Sequence, residues 1–309
     1  MLKRIFTKRF KILALTAVVV FLCVFVPVAA SRRVKASGEQ KKDLQHIIVW
    51  QIDGFEGGKG SRKQFLQSAA DRLFKNQSIY FTVISLTAEA ARKNVQTGDL
   101  PDLISYNAGF YGVEDKINAA DFTYKCWARG AYCILALEGA DFSDVTSQNT
   151  VINVGKDNLT QVAAQFCGLA NARVEQPTNA YLQLINGKCK YLLGSQRDIF
   201  RLKARSASFC VKPISEFNDL YANISILTRD AKKYETCLNF VNYLTSEKCD
   251  VTTLGLFNDI NKCEDEALTP LNNLSFDYKI SGPCGEGYIN EVKSAAAESD
   301  LNKIKNLLK

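Results

Sequence analysis

The sequence predicts an α/β fold in which mainly parallel sheets are flanked by helices. Three observations carry this. The strand-like segments are near-continuous apolar runs, the pattern of strands covered on both faces. The helix-like segments between them carry caps and single apolar stripes. And residues 46–105 alternate strand, helix, strand, helix, strand through short links, the order of a parallel sheet wrapped by helices.

His46–Gln51 opens the folded region as a buried strand. A glycine-rich loop, Asp53–Gly60, leads to Ser61, which with Gln64 makes an N-terminal capping signal. Phe65, Leu66, Ala69, Leu73 and Phe74 then recur at helical spacing. Ile79–Leu86 is a second strand and Ala88–Thr97 a short helix, with Gly98 where a helix end needs positive φ. Pro101 stops continuation, and Leu103–Ser105 is a third strand. Farther on, Ala131–Leu137, Asn149–Val154, Lys190–Leu193, Ser208–Val211 and Asn223–Leu227 read as strands. Helices are expected over Asn158–Leu169, over Pro177–Asn186 closed by Gly187, and over Arg229–Ser246, whose stripe is Tyr234, Cys237, Leu238, Val241 and Leu244. A single last helix is expected from Tyr288 to the C-terminus, after a loose segment over Asn272–Gly287.

Charge and its position narrow the function. The chain of 309 residues has a formal charge of +7, but five of its 39 bases (Lys3, Arg4, Lys8, Arg9 and Lys11) lie within residues 1–30, where there is no acid. Without residues 1–30, 34 bases face 32 acids, too even a balance for a nucleic-acid footprint. Those five bases lead into the apolar run Ile12–Ala30, which ends in Val28-Ala29-Ala30. Basic, apolar, small is the order of a signal peptide, and the run is also long enough for an uncleaved anchor. Either places the rest of the chain outside the cytoplasm, with membrane contact only through this segment. Residues 31–43 read as a solvated tether.

Nine cysteines follow the run, an odd number, with no Cys-x-x-Cys pair to suggest a zinc ribbon or a thiol redox motif. Most read as small buried hydrophobes, and Cys263 and Cys284 bracket a loop they could staple. No metal site or cofactor is expected. Catalysis has little support. The one histidine, His46, opens a strand expected to be buried, and no Gly-x-Ser-x-Gly or His-Glu-x-x-His motif exists. Glu56 with Asp53 or Asp102 is the only carboxylate set that would serve a glycoside hydrolase.

Three stretches resemble the extracellular solute-binding proteins of ABC importers, most closely the sugar-binding group. The first is Ile47-Ile-Val-Trp-Gln-Ile-Asp-Gly-Phe-Glu-Gly and the Ser61 helix, similar to the family's opening strand, cleft loop and first helix. The second is Gln96-Thr-Gly-Asp-Leu-Pro-Asp-Leu-Ile-Ser-Tyr106, similar to its Gly-x-x-Pro-Asp-apolar turn into the third strand. The third runs from Asn179–Lys188 with its Asn-Gly-Lys ending, through Tyr191-Leu-Leu-Gly and Tyr221-Ala-Asn-Ile-Ser-Ile, to the helix bearing Phe240-Val-Asn-Tyr-Leu-Thr-Ser. Between Tyr106 and Asn179 the chain is shorter than such proteins usually are. The resemblance implies a two-lobed fold of the periplasmic-binding-protein type, with a ligand cleft at the hinge. It implies a monomer that captures a small ligand, a carbohydrate by this likeness, and delivers it to an ABC permease. Lobe one is expected over 44–127 plus 211–262, lobe two over 128–210 plus 285–309, and a loop over 263–284, with crossings near Trp127–Ala131 and near Phe209–Pro213. The shortened middle also fits a sensor or scaffold that keeps the fold without transport.

The expected ligand residues follow from strand ends and aromatic supply. Asp53, Phe55 and Glu56 lie in the loop after the first strand, which is either a ligand loop or a flexible turn. Tyr106 and Asn107 end the third strand at the sheet edge where open α/β folds bind ligands. Trp127 lies in the expected crossing, where an indole could stack on a sugar ring. Gln196, Arg197 and Asp198 follow a strand as a polar cleft rim, or else form a hairpin turn with a local Arg–Asp pair.

Overall fold

A computed structural model describes residues 44–54, 57–154 and 159–309. The first sheet is built as the apolar runs predict. β1 (Gln45–Asp53) pairs in parallel with β2 (Ile79–Thr87) on one side and β3 (Leu103–Asn107) on the other. α1 (Arg62–Leu73) starts at Ser61, whose side chain accepts the Gln64 N–H, and α2 (Ala88–Gln96) starts at Thr87, which accepts the Ala90 N–H. Gly98 takes φ +83°, as the helix end requires.

β4 (Lys125–Arg129) and β5 (Tyr132–Leu137) follow, but in different sheets. The second sheet adds β6 (Thr150–Asn153), β7 (Arg173–Glu175), β8 (Tyr191–Ser195) and β9 (Phe209–Pro213), with α3 (Thr160–Phe166), α4 (Pro177–Ile185) and α5 (Gln196–Lys203) between them. Its order is β7-β6-β8-β5-β9, with β6 parallel to β7 and β8 and with β5 antiparallel to β8 and β9. A short β10 (Phe217–Asn218) pairs with β12 (Tyr278–Lys279). β11 (Tyr221–Ile226) then returns to the first sheet, whose order is β2-β1-β3-β11-β4, and α6 (Ala231–Leu244) packs against it. α7 (Glu286–Ala297) and α8 (Leu301–Leu307) close the chain. The result is a two-lobed α/β fold with a helix-flanked sheet in each lobe.

The chain passes between the sheets at two tied segments. Gly130 and Ala131 join β4 to β5, and residues 214–220 join β9 to β11. The Gly130 N–H donates to the Leu220 carbonyl at 2.6 Å, and Asn218 Nδ2 donates to the Gly130 carbonyl at 3.0 Å. A third segment touches this junction through the Arg129–Phe257 bridge. One apolar cluster is continuous from Ile47 and Val49 of the first sheet to Tyr132, Ile134 and Leu193 of the second. Separate clusters fill the outer faces: Trp50, Ile104 and Val95 under α2, and Leu135, Leu184 and Ile199 under α4 and α5.

Several expectations need correction. β9 lies wholly in the second sheet, so the second crossing, expected near Phe209–Pro213, runs over the residues that follow, 214–220. The expected last helix is two helices, broken where Ser299 takes φ +58°. His46 is not a core residue. Its ring stacks on Tyr80 at 4.2 Å and its Nε2 bonds Thr82 Oγ1 at 2.9 Å, on the side of the sheet's edge strand. Cys263 and Cys284 are free, like the other seven described cysteines, so no staple closes their loop. Burial pushes the thiols of Cys126 and Cys167 up to about 12, which keeps them protonated and inert. The tether and the apolar N-terminal run lie outside the described residues.

Candidate functional site

β1 and β3 are parallel, so their carboxyl ends, Asp53 and Asn107, lie on the same edge of the sheet. Open α/β sheets bind ligands at that edge. A cavity of about 50 Å³ opens here. On the first-lobe side it is lined by Asp53, Asn107, Phe110, Tyr111 and the first two turns of α2 through Ala88 and Arg92. The opposite wall is Leu159, Ile289 and Lys293, from the start of α3 and from α7. A water molecule needs roughly 10–15 Å³ of such space, so this volume suits a small solute.

Each wall is held by local contacts. The Ser85 hydroxyl donates to Asp53 Oδ1 at 2.8 Å, which fixes the carboxylate at the sheet edge. The Arg92 guanidinium lies over the Tyr111 ring at 4.5 Å, and the Tyr111 hydroxyl donates to Glu286 Oε1 at 3.1 Å. The turn after β3 approaches α7 so closely that a Cβ on Gly109 would meet Ile289 Cδ1 at 3.0 Å, and its φ is +75°. Only glycine serves both demands without strain.

The expected site residues divide. Asp53 and Asn107 reach the cavity. Phe55 and Glu56 lie outside the described residues. Tyr106 and Trp127 do not face the cavity. Tyr106 is buried against Phe110, with its hydroxyl bonded to Ser225 Oγ at 2.8 Å, and burial holds its phenol far above the usual range. Trp127 belongs to β4, not to a crossing; it stacks on Phe65 at 5.6 Å and donates Nε1–H to Ser105 Oγ at 3.1 Å. Both are core residues: Trp127 packs with Phe65 of α1 in the main apolar cluster, and Tyr106 packs with Phe110 in the cluster that includes Ala91 and Val95 of α2.

Gln196, Arg197 and Asp198 form the first turn of α5, neither a cleft rim nor a hairpin turn. Ser195 and Asp198 make a reciprocal capping box. The buried Asp198 carboxylate also accepts from Asn153 Nδ2 at 2.7 Å and pairs with Arg201 at 2.7 Å. Gln196 Oε1 accepts the Ala131 N–H at 3.0 Å, which anchors the first crossing. Asp102, offered as a hydrolase carboxylate, pairs with Lys233 and accepts the Ile48 N–H, a structural use far from a reacting group.

The junction holds one more carboxylate. Asp219 is buried in the second crossing, accepting from the Tyr132 hydroxyl at 2.6 Å and from the Leu159 N–H at 2.8 Å. Burial pushes its carboxyl up to about 6, against the lowering effect of those two hydrogen bonds. Sequence reasoning missed Arg92 and Lys293. Arg92, a cavity residue, had a usable signal, one turn into a helix that starts at the carboxyl edge of the sheet. Lys293 had none, since only the fold brings α7 to this edge. Among the described residues, no group of three His, Cys, Asp or Glu side chains is placed to hold a metal ion, and no helix is long and apolar enough to cross a membrane.

No family model and no curated protein sequence matches this chain. Solved structures do match. The ABC substrate-binding protein Lmo0181 from Listeria monocytogenes, in complex with cycloalternan, aligns at TM-score 0.54 and 13% identity over 86% of this chain and 97% of that one. Apo FutA2 from Synechocystis PCC6803 aligns at TM-score 0.54 and 10% identity over 85% and 98%. The maltose/maltodextrin-binding domain MalE from Bdellovibrio bacteriovorus, bound to maltotriose, aligns at TM-score 0.51 and 12% identity over 84% and 99%. The chain therefore has the two-lobed α/β fold found in ABC substrate-binding proteins.

Proposed function

We propose that this chain is an exported solute-binding protein that captures a small polar solute by hinge closure and presents it to an ABC permease. One observation carries the reading: the cavity at the carboxyl ends of β1 and β3 is walled on its far side by residues that follow the crossing into the second lobe and by α7. Closing the hinge would bury a solute between these walls, and opening it would release the solute. The N-terminal basic and apolar run supports export, with either cleavage or retention as an anchor. The protein acts as a monomer, without cofactor or catalysis. The lobe assignment belongs to the same proposal, with its expected bounds at 127/128 and 210/211 moved to where the chain changes sheet: lobe one over 44–129 plus 221–262 and lobe two over 132–213 plus 285–309.

A carbohydrate ligand is the second reading. It rests on the Tyr111 ring and the acceptors of Asp53 and Asn107 in one cavity. With Tyr106 and Trp127 in the core, the aromatic supply for stacking on a sugar is smaller than the sequence suggests. The test is small-angle scattering with and without each of a panel of solutes, alongside thermal melting. A bound solute should compact the protein and raise its melting temperature by mass action. Unchanged dimensions with every solute that raises the melting temperature would overturn hinge closure. Release of reducing ends from an oligosaccharide would favour a hydrolase instead.

A further inference from the structure

Resting on that reading of the cavity as the solute site, we infer that its ligand is a small organic acid bearing an ammonium or hydroxyl group beside its carboxylate. The cavity sets Arg92 and Lys293 on its two walls. Among the described residues neither side chain has a hydrogen bond or an ion-pair partner. Apolar surface from Ile52, Leu159 and Ile289 surrounds them, which strengthens any charge pairing in the closed state. Asp53 in the same cavity, and Asp219 within electrostatic reach of Lys293, offset part of this charge, but a neutral solute would bring no anion to pair with either cation when the lobes close. A carboxylate would pair with them.

The Arg92 guanidinium carbon lies 4.5 Å from the centre of the Tyr111 ring, a cation–π contact that occupies no N–H group as a hydrogen-bond donor, so two of them can grip a carboxylate with parallel bonds. The N-terminus of α2 adds to the same potential, because Ala88, its first residue, lines the cavity.

The second half of the inference rests on Asp53. Its carboxylate lies in the same cavity, with Oδ1 bonded to the Ser85 hydroxyl. It would repel an inorganic oxyanion that has no proton to offer. A ligand with a donor next to its carboxylate satisfies Asp53 and both cations together. The volume, about 50 Å³, suits a short-chain acid.

The test is calorimetric titration and thermal melting of the full chain in mild detergent. The probes are glycine, L-alanine and L-serine, then glycolate and L-lactate, with glucose, maltose and sulfate alongside. Saturable binding is expected from at least one amino acid or hydroxy acid. Arg92→Gln and Lys293→Gln should each weaken it tenfold or more while the variants melt cooperatively. Asp53→Asn should weaken an ammonium-bearing ligand much more than a hydroxyl-bearing one, which separates the two donors. Maltose or glucose binding that is unaffected by Arg92→Gln overturns the inference and leaves solute capture standing. Sulfate bound as tightly as the acids, and unaffected by Asp53→Asn, overturns it too. Failure of all acids to bind a cooperatively folded chain overturns the inference, and failure of every probe counts against solute capture as well.

Discussion

Lys233 Nζ lies 3.0 Å from both carboxylate oxygens of Asp102, and this pair fastens α6 to the first sheet. Asp102 sits in the turn before β3; its N–H donates to the Ile48 carbonyl at 2.9 Å, its carboxylate accepts the Ile48 N–H at 2.9 Å, and its carbonyl accepts from the Leu227 N–H at 2.9 Å. One residue thus joins β1, the end of β11 and α6. Its carboxylate is largely buried, while the lysine keeps a third of its side chain in solvent.

Lys233→Ala should therefore destabilise the protein without touching the cavity. Breaking a buried pair costs about 3–5 kcal/mol, and the exposure of the lysine reduces that to about 2 kcal/mol here. Urea unfolding measures the loss. Adding Asp102→Asn should recover part of it, because the uncompensated charge is removed. A double variant less stable than Lys233→Ala alone would show that the carboxylate's bond to the Ile48 N–H matters more than the ion pair.

Trp127→Ala should cost about 3–5 kcal/mol, the range for truncating a core aromatic. The indole is wholly enclosed, stacked on Phe65 and bonded to Ser105. Trp127→Phe should recover most of that loss, since it keeps the stacking and gives up one hydrogen bond. Ligand affinity of the folded fraction should stay unchanged in both. A stable Trp127→Ala variant with weakened binding would return the indole to the cleft.

That contrast shows what the sequence could and could not reveal. β1, α1, β2, α2 and β3 were legible because each carries its own local signal: an apolar run, a cap, a glycine at a helix end. The place of Asp53 and Asn107 beside the cavity was legible because strand direction alone sends them to the carboxyl edge of the sheet. Trp127 was misread because nothing local says that β4 joins the first sheet as its edge; that follows from pairing with β11, far along the chain. α5 was missed because Gly194 and the polar run after it read as a turn. Yet Ser195 and Asp198 stand at capping-box spacing, with Ile199 and Leu202 buried behind them.

Gln196 tests the crossing itself. Its Oε1 is the partner of the Ala131 N–H at 3.0 Å, in the linker between β4 and β5. Gln196→Ala leaves a buried N–H without an acceptor, at a cost of about 1–3 kcal/mol. The expected readout is lower stability with faster amide exchange at Ala131 and Gly130. Gln196→Glu retains the acceptor and should protect those amides at the native level. Equal exchange in wild type and Gln196→Ala would remove the side chain from any part in holding the hinge.

Asp219 makes the second crossing sensitive to pH. Its carboxyl is raised from 3.8 to about 6 by burial, beside the Tyr132 hydroxyl and the Leu159 N–H. Between those two pH values the folded chain keeps the proton and the unfolded chain has lost it. Folding is therefore favoured as the pH falls from about 6 toward 3.8, and disfavoured as it rises through that window. Above about 6 both states are ionised, and the native state carries the whole cost of a buried charge, about 3 kcal/mol for a shift of this size. Asp219→Asn has the same shape, can accept the Leu159 N–H and can donate to the tyrosine oxygen, and carries no charge. It should be more stable than wild type at pH 7.5 by up to about 3 kcal/mol, with the difference closing as the pH approaches 4. Urea midpoints taken across that range measure it. If the two proteins keep a constant difference between pH 4 and pH 7, the carboxyl titrates normally and the junction is not proton-linked.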